Sequence, residues 1–383
     1  MSEVVIVGAA ESARLGVIPD QSAMSLAVES SLTALKQAGL TLADVDGVAG
    51  TLPIVDLAFT LGVRPRWLDG TMVGGCSYML HVRHAVAAIQ AGQASVVVIA
   101  HGESGRSRVG APAWAKDAAS ASGQFELPYG VLGAFSRFTL PVMAYLHRYG
   151  LPPEALAEVP AAQSHWASRN PRAARPELLT VDDVLASPLI AWPFHRLECC
   201  PVSDGGGALV LTSRERAADL NLRYRPVVVA GSGESCEGPG PMFMEDLTSF
   251  RAFRDASAEA MRTAGFTHAD VEHLMIYDAF AHVPVYGLED IGFVERGQAI
   301  DFIRSGATRP GGSLPMNTNG GGLLYAHTGM YGMFALLEAV RQLQGCAAAQ
   351  LDKADTSLVL GAGGMFSAAA AVALRVESNF GFK

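Results

Sequence analysis

Val4–Ser12 reads VVIVGAAES, and Val227–Ser235 reads VVVAGSGES. Each opens on a β-branched run closed by a small-residue turn, the pattern of a buried strand. Further along each copy lies a second matching pair. Ala34–Val48 reads ALKQAGLTLADVDGV, Ala260–Leu274 reads AMRTAGFTHADVEHL, and seven of the fifteen positions are identical. The copies are offset by 223 residues in the first pair and by 226 in the second. So long a period is no solenoid repeat. It implies two related α/β halves in one chain, and two such halves bury an interface of the kind where functional sites concentrate.

Composition agrees with a large buried core. Of 383 residues, 50% are apolar and only 17% charged, which sets the chain apart from disordered sequences. The net charge of −9 and the lack of a basic tract argue against nucleic acid as a partner. No apolar run approaches the twenty residues of a membrane span, and MSEVVIVGAA lacks the basic flank of a signal peptide. The five cysteines, Cys76, Cys199, Cys200, Cys236 and Cys346, are odd in number and contain no CxxC pair. That supports neither a metal site nor a disulfide framework, and the expected compartment is the reducing cytoplasm.

Along the first half, strands are expected at 4–7, 45–50 and 95–100, alternating with helices at 22–39 and 77–89. This β-α-β-α-β order implies a parallel or mixed sheet covered by helices. From about 106 to 194, proline, tryptophan and polar residues become frequent, which marks an inserted lid or loop domain. Sheet character returns at Val202–Leu211. The first half is therefore 1–222 and the second 223–383, with strands at 227–230, 274–277 and 357–360 and helices at about 248–264 and 329–344.

Four places carry candidate chemistry. Cys76 follows Gly74-Gly75 at a helix start, where free N–H groups and the helix dipole favour a thiolate. A buried, inert cysteine is the plain alternative. His327 lies in NTNGGGLLYAHTGMYG (317–332) with Tyr325 beside it. The helix that follows is the counterpart of the one after Cys76, so two helix N-termini are expected to converge on one cavity. There a histidine can serve as base or as oxyanion donor. Tyr277, in IYDAFA (276–281), is a candidate acid/base that Asp278 can cap or orient, and its alternative is a packed strand-end tyrosine. The glycine-rich turn in LGAGGM (360–365) can expose N–H groups as an oxyanion hole, but it lacks the spacing of a dinucleotide site. His81, His84, Cys199 and Cys200 read as core or interface residues, Asp204-Gly205 as a turn, and His282 as a residue near the site with no spacing to place it.

Together these motifs resemble the thiolase superfamily, in order and over nearly the whole chain. The resemblance rests on GGCS, AGQASVVVIAHGES, SDGGGALVL, YDAFA, NTNGGGLLYAHTGMYG and LGAGG, and it is strongest to the sterol-carrier-protein-X and lipid-transfer-protein groups. It implies a five-layered α/β/α/β/α fold, coenzyme A thioesters as substrates and no tightly bound cofactor. It implies a homodimer built through the first half, lipid metabolism as the setting, and for some relatives a small zinc-ribbon/OB-fold partner protein. By the same resemblance Cys76 matches the acyl-accepting nucleophile, and His327 the histidine that activates it. The Gly363 and Cys76 positions match the oxyanion hole. The sequence departs from the family where a second cysteine is usual, at Gly361, and Tyr277 replaces the usual Asn or His.

Three readings follow. The leading one is a thiolase-type acyltransferase that makes or breaks a C–C bond through an acyl-Cys76 intermediate, with Tyr277 or Tyr325 replacing the missing cysteine. The second is a retro-aldolase or aldolase on 3-hydroxyacyl-CoA thioesters, with Tyr277 as acid/base and Cys76 as bystander. The third is a non-catalytic acyl-CoA or lipid-binding scaffold. Aromatic residues of the insert (Trp114, Phe125, Phe135, Trp166) point to an apolar or aromatic-bearing substrate.

Overall fold

A computed structural model describes residues 2–110, 118–131 and 133–377. Its strands are β1 (Val4–Glu11), β2 (Gly47–Gly50), β3 (Trp67–Asp69), β4 (Val96–Ser104), β5 (Leu189–Ala191), β6 (Phe194–His195), β7 (Asp204–Ser213), β8 (Val227–Cys236), β9 (Leu274–Ile276), β10 (Thr356–Gly363) and β11 (Ala368–Val376). β5 and β6 form a separate hairpin. The rest make one sheet in the order β3-β2-β4-β7-β1-β8-β11-β10-β9.

That order is symmetric about the β1–β8 contact. Outward from it, β1, β7, β4 and β2 on one side answer β8, β11, β10 and β9 on the other, with matching parallel and antiparallel senses. β1 and β8 themselves meet only at Val5–Val228 and Ile6–Val227. The duplication in the sequence is thus a duplication in topology, joined by a short antiparallel seam.

Helices Ser77–Gln90 and Gly332–Gln344 pack on each other and on both half-sheets. The second is buried at all but two of its thirteen positions, as a helix enclosed by two sheets requires. Helix Ala23–Gln37 covers the outer face of the first half, and Arg251–Ala264 the outer face of the second. Helix, half-sheet, helix pair, half-sheet and helix make the five expected layers.

The insert between β4 and β7 holds helices Ala134–Tyr149 and Glu158–Ala167. Trp166 is buried there, and its Nε1 donates to the Thr308 carbonyl at 2.8 Å, so it anchors the insert to the second half. Phe125 and Phe135 are exposed, and Trp114 lies outside the described residues. Two further elements depart from expectation. Four successive alanines in β11 carry little strand propensity, so the sequence predicts no strand there; pairing on both edges, with β8 and β10, makes it a strand nonetheless. Asp204 begins β7 rather than a turn. Its buried carboxylate accepts from the N–H groups of Ile18, Arg106 and Ser107, tying three segments together. No helix among the described residues is long and apolar enough to cross a membrane.

The repeated motif explains how closely the outer helices sit. A methyl group at Gly8 would fall 2.2 Å from the Ala34 carbonyl oxygen, and one at its counterpart Gly231 would fall 2.2 Å from that of Ala260. In both halves a strand glycine receives the backbone of the covering helix. Neither backbone can yield without moving a whole layer, so Gly8→Ala and Gly231→Ala are each expected to cost about 2–3 kcal/mol. Urea unfolding measures this, and an unchanged midpoint in either variant would refute the close approach.

Candidate functional site

The site forms where the N-termini of the two central helices meet. Gly332 abuts the Gly75 carbonyl so closely that a methyl group on it would lie 2.0 Å from that oxygen. Gly74 turns the chain into the first of these helices with φ +87°, and a side chain there would strike the Gly364 N–H at 2.5 Å. Only glycine combines that backbone angle with that contact. Ser77 fastens the turn, its Oγ donating to the Gly74 carbonyl at 2.7 Å and accepting from Val73 N–H at 3.0 Å.

A cavity of about 300 Å³ opens beside this junction. Its polar wall carries Tyr277 and His327. Gly74, Gly75, Ala362 and Gly364 supply backbone, and Phe138, Phe280 and Val283 the apolar side. Gly363 lies between two of the lining residues.

Cys76 is not on that wall. Its side chain is fully buried and packs under Gly361 and Gly363. A methyl group at Gly363 would lie 2.8 Å from Sγ, and one at Gly361 would lie 2.9 Å from Cys76 Cβ and 2.8 Å from Met79 Sδ. The ring of Tyr277 lies against Gly75, where a methyl group would come within 2.2 Å of Cε2. Burial pushes the Cys76 thiol up to about 12, against the expectation of an activated thiolate. Desolvation outweighs the helix terminus because, among the described residues, no cation or hydrogen-bond donor side chain reaches the sulfur. The same crowding leaves no space at Gly361 for the second cysteine usual in thiolases.

Tyr277 and His327 are joined. Tyr277 Oη lies 2.8 Å from His327 Nε2 and 3.4 Å from the Gly329 carbonyl. The Gly329 N–H donates to His327 Nδ1 at 3.2 Å. A neutral ring that accepts at Nδ1 carries its proton on Nε2. Burial holds His327 down at about 4, so the ring is neutral at physiological pH. It therefore donates to Tyr277 Oη, leaving the phenol O–H to face Gly329 or a ligand. Burial raises Tyr277 well above the ordinary tyrosine range, which makes it a hydrogen-bond and proton donor at rest. No hydrogen bond among the described residues joins His327 to Cys76.

The other candidates divide. Tyr325 lies elsewhere, its hydroxyl donating to Glu11 Oε2 at 2.6 Å within a buried Glu11–Arg341 pair. Asp278 does not touch the Tyr277 hydroxyl. It accepts from Gly322 N–H at 2.6 Å and Gln163 Nε2 at 2.9 Å, which fixes the glycine turn before His327. His84 pairs with Asp69 at 2.7 Å, and His81 meets the Thr71 carbonyl. Cys200 lines the cavity while Cys199 is half-buried.

Two residues were missed. His101 Nε2 is 2.7 Å from Thr328 Oγ1, and its other nitrogen meets Tyr78, so it props the residue next to His327. The carboxyl of Glu103 packs on the Cα of Gly329, and burial pushes it up to about 7. Both come from AHGES at the end of β4, the counterpart of the β10 loop; that equivalence was the available signal.

Comparison with known proteins follows the same lines. Residues 233–375 match the thiolase C-terminal domain-like family. The chain is 32% identical over 343 residues to the 17-hydroxy-3-oxo-4-pregnene-20-carboxyl-CoA lyase of Mycobacterium tuberculosis, covering 85% of this chain and 87% of that one. It is 29% identical over 385 residues to an acetyl-CoA acetyltransferase of Methanothermobacter thermautotrophicus, covering 97% and 98%. The solved Ltp2-ChsH2(DUF35) aldolase superposes with a TM-score of 0.90 at 28% identity, over 98% of both chains.

The burial of Cys76 has a direct consequence. With iodoacetamide at pH 7.5, exposed Cys236 is expected to react at least about a hundredfold faster than Cys76. Peptide mass mapping over time reads the order, and labelling of Cys76 first would overturn the walled-off geometry.

Proposed function

This chain belongs to the thiolase superfamily, on its sterol-carrier-protein and lipid-transfer-protein side, and from that premise we propose that it is a carbon–carbon lyase acting by retro-aldol or aldol chemistry on 3-hydroxyacyl-CoA thioesters. One observation carries the reading: Tyr277 and His327 line the cavity, whereas the Cys76 thiol is sealed beneath glycines and the Tyr277 ring. Relatives named as a lyase and an aldolase support it.

In bond formation, the enolate carbon of an acyl-CoA attacks a carbonyl carbon. Tyr277 gives its phenol proton to the alkoxide that forms at C3, and His327 Nε2–H holds the phenolate left behind. In cleavage the same oxygen, as the phenolate held by His327 Nε2–H, takes the C3 hydroxyl proton as the C2–C3 bond breaks. The electron pair of that bond passes to the thioester as an enolate, and the phenol just formed returns its proton to C2, which regenerates the phenolate. We assign the enolate oxygen to backbone N–H groups of the Gly363 turn, which stands between the cavity-lining Ala362 and Gly364, and such preorganised donors supply the largest share of catalysis. Cys76 then serves as packing. No tightly bound cofactor is required.

The second reading, acyl transfer through Cys76, keeps support from the acetyltransferase relative. It requires Tyr277 to swing away and the thiol to ionise. We place a homodimer on the open β3 edge, where Leu68, Phe59, Val55 and Met72 are exposed, and the protein in the cytoplasm. The name of the Ltp2-ChsH2(DUF35) structure supports a partner protein, for which we propose the small zinc-ribbon/OB-fold type that the resemblance implies.

The variants separate the readings. With a 3-hydroxyacyl-CoA and an assay for the released aldehyde or ketone, Tyr277→Phe is expected to lose about 10²–10⁴ in turnover. Cys76→Ala should stay within about threefold of wild type, since it removes no group that takes part in the proposed proton transfer. A covalent acyl adduct on Cys76 in intact-mass spectra, with activity abolished in Cys76→Ala, would replace the lyase by the acyltransferase.

A further inference from the structure

His282 begins helix His282–Ile291, directly behind the apolar wall of the cavity. It is 1% exposed, and neither ring nitrogen has a hydrogen-bond partner among the described residues. Aromatic rings surround it instead: Phe138 at 4.5 Å between centroids, Phe194 at 5.4 Å, Phe366 at 5.6 Å and Tyr286 at 5.7 Å. Burial keeps the ring neutral, so it offers one N–H donor and one bare nitrogen acceptor.

An imidazole in such a cage is costly. Two buried polar atoms without partners each carry a desolvation penalty, which a phenylalanine or leucine of similar size would avoid. Ring faces compensate only weakly, since N–H···π contacts are second-order. A residue that costs stability where an apolar one would fit is the signature of a functional position. The cavity supplies the function: Phe138, Phe280 and Val283, which flank His282 in sequence or pack on it, are themselves cavity wall. Rotation of the Phe138 ring would open the imidazole to the apolar side of the cavity.

We propose that His282 is a specificity residue, hydrogen-bonding a neutral oxygen, carbonyl or hydroxyl, on the part of the acyl group remote from the thioester. This rests on the reading of the cavity as an acyl-CoA site but not on the reaction performed there. The wall selects a hydrocarbon body, and the buried imidazole selects an oxygen upon it. A site built around an unpaired polar group discriminates strongly against ligands that leave it unpaired.

The test compares two thioesters that lack a C3 hydroxyl and so cannot undergo retro-aldol cleavage: 3-cyclohexylpropionyl-CoA and 3-(4-oxocyclohexyl)propionyl-CoA. Calorimetric titration of the wild type is expected to show the oxo ligand bound about tenfold tighter or better. His282→Phe should bind the two about equally, keep the wild-type affinity for the hydrocarbon ligand, and unfold at no lower temperature. His282→Gln, which retains a donor and an acceptor, should keep part of the preference. Should His282→Phe fail to fold, His282→Leu takes its place. No preference in the wild type, or a preference that survives His282→Phe or His282→Leu, overturns the proposal. Tyr277→Phe separates it from the lyase reading, since that variant should keep the oxo preference whether or not turnover depends on Tyr277.

Discussion

The contact between the Tyr277 ring and Gly75 governs this site. An aromatic ring can lie on the chain just before a helix only where the chain presents no side chain, and residue 75 is a glycine for that reason. Once the ring is there, three things follow together. The phenol reaches His327, the cavity acquires a polar wall made by two side chains of the second half, and the thiol next to Gly75 is shut away. Gly361 and Gly363 press on Cys76 from the other side. The cysteine stands at a helix N-terminus, the place where a thiolate is best supported, yet the thiol is pushed up rather than down. Position in a secondary-structure element thus decides less than access to water and to a cation. A dipole acting at one end of one helix does not offset the loss of the whole hydration shell.

The duplicated architecture makes the contact possible. Each half brings one central helix, and the pseudo-symmetric order of strands aims both helix N-termini at the same point. The loops entering them are not equivalent, however. The first-half loop reaches its helix through Gly74 and Gly75; the second-half loop carries His327, Thr328 and Gly329. Gly329 bonds both partners of the Tyr277–His327 pair through its own N–H and carbonyl. One half therefore supplies the floor and the other the reactive side chains. A symmetric scaffold yields an asymmetric site because the two copies diverged in their loops, where backbone freedom costs the core nothing.

Much of this was legible beforehand, for identifiable reasons. The repeat of VVIVGAAES and ALKQAGLTLADV revealed two halves because strand and helix cores tolerate only like-for-like exchange, so the pattern survived divergence. Convergence of the helix termini followed from the placement of Cys76 and the His327 region ahead of counterpart helices. What could not be read was which side chain turned toward the cavity. Tyr277 and Tyr325 look alike in sequence, each beside a glycine-rich or strand-end motif. The difference is made by Glu11, over three hundred positions away, which accepts the Tyr325 hydroxyl and fixes it elsewhere. His101 and Glu103 were passed over because AHGES reads as the end of a buried strand, and only packing against Thr328 and Gly329 gives them a role.

That last point bears on how the pair is tuned. Glu103 presents its carboxyl to the Cα of Gly329 with Oε2 unpartnered among the described residues, and burial places its titration near neutrality. As a carboxylate it opposes a negative charge on Tyr277; as a carboxylic acid it does not. His327 acts in the opposite sense, since its Nε2–H stabilises the phenolate once formed. Burial sets the high affinity of the tyrosine for its proton, and these two neighbours of opposing effect, one in the turn at residues 327–329 and one packed on it, adjust it. In the proposed reaction a phenol that both gives and takes a proton needs such balance, because driving it fully to one form would stop the reaction in one direction. The thiol has no comparable pair of neighbours. On physical grounds the polar groups of this cavity gather around the tyrosine and not around the cysteine, as the proposed lyase chemistry requires.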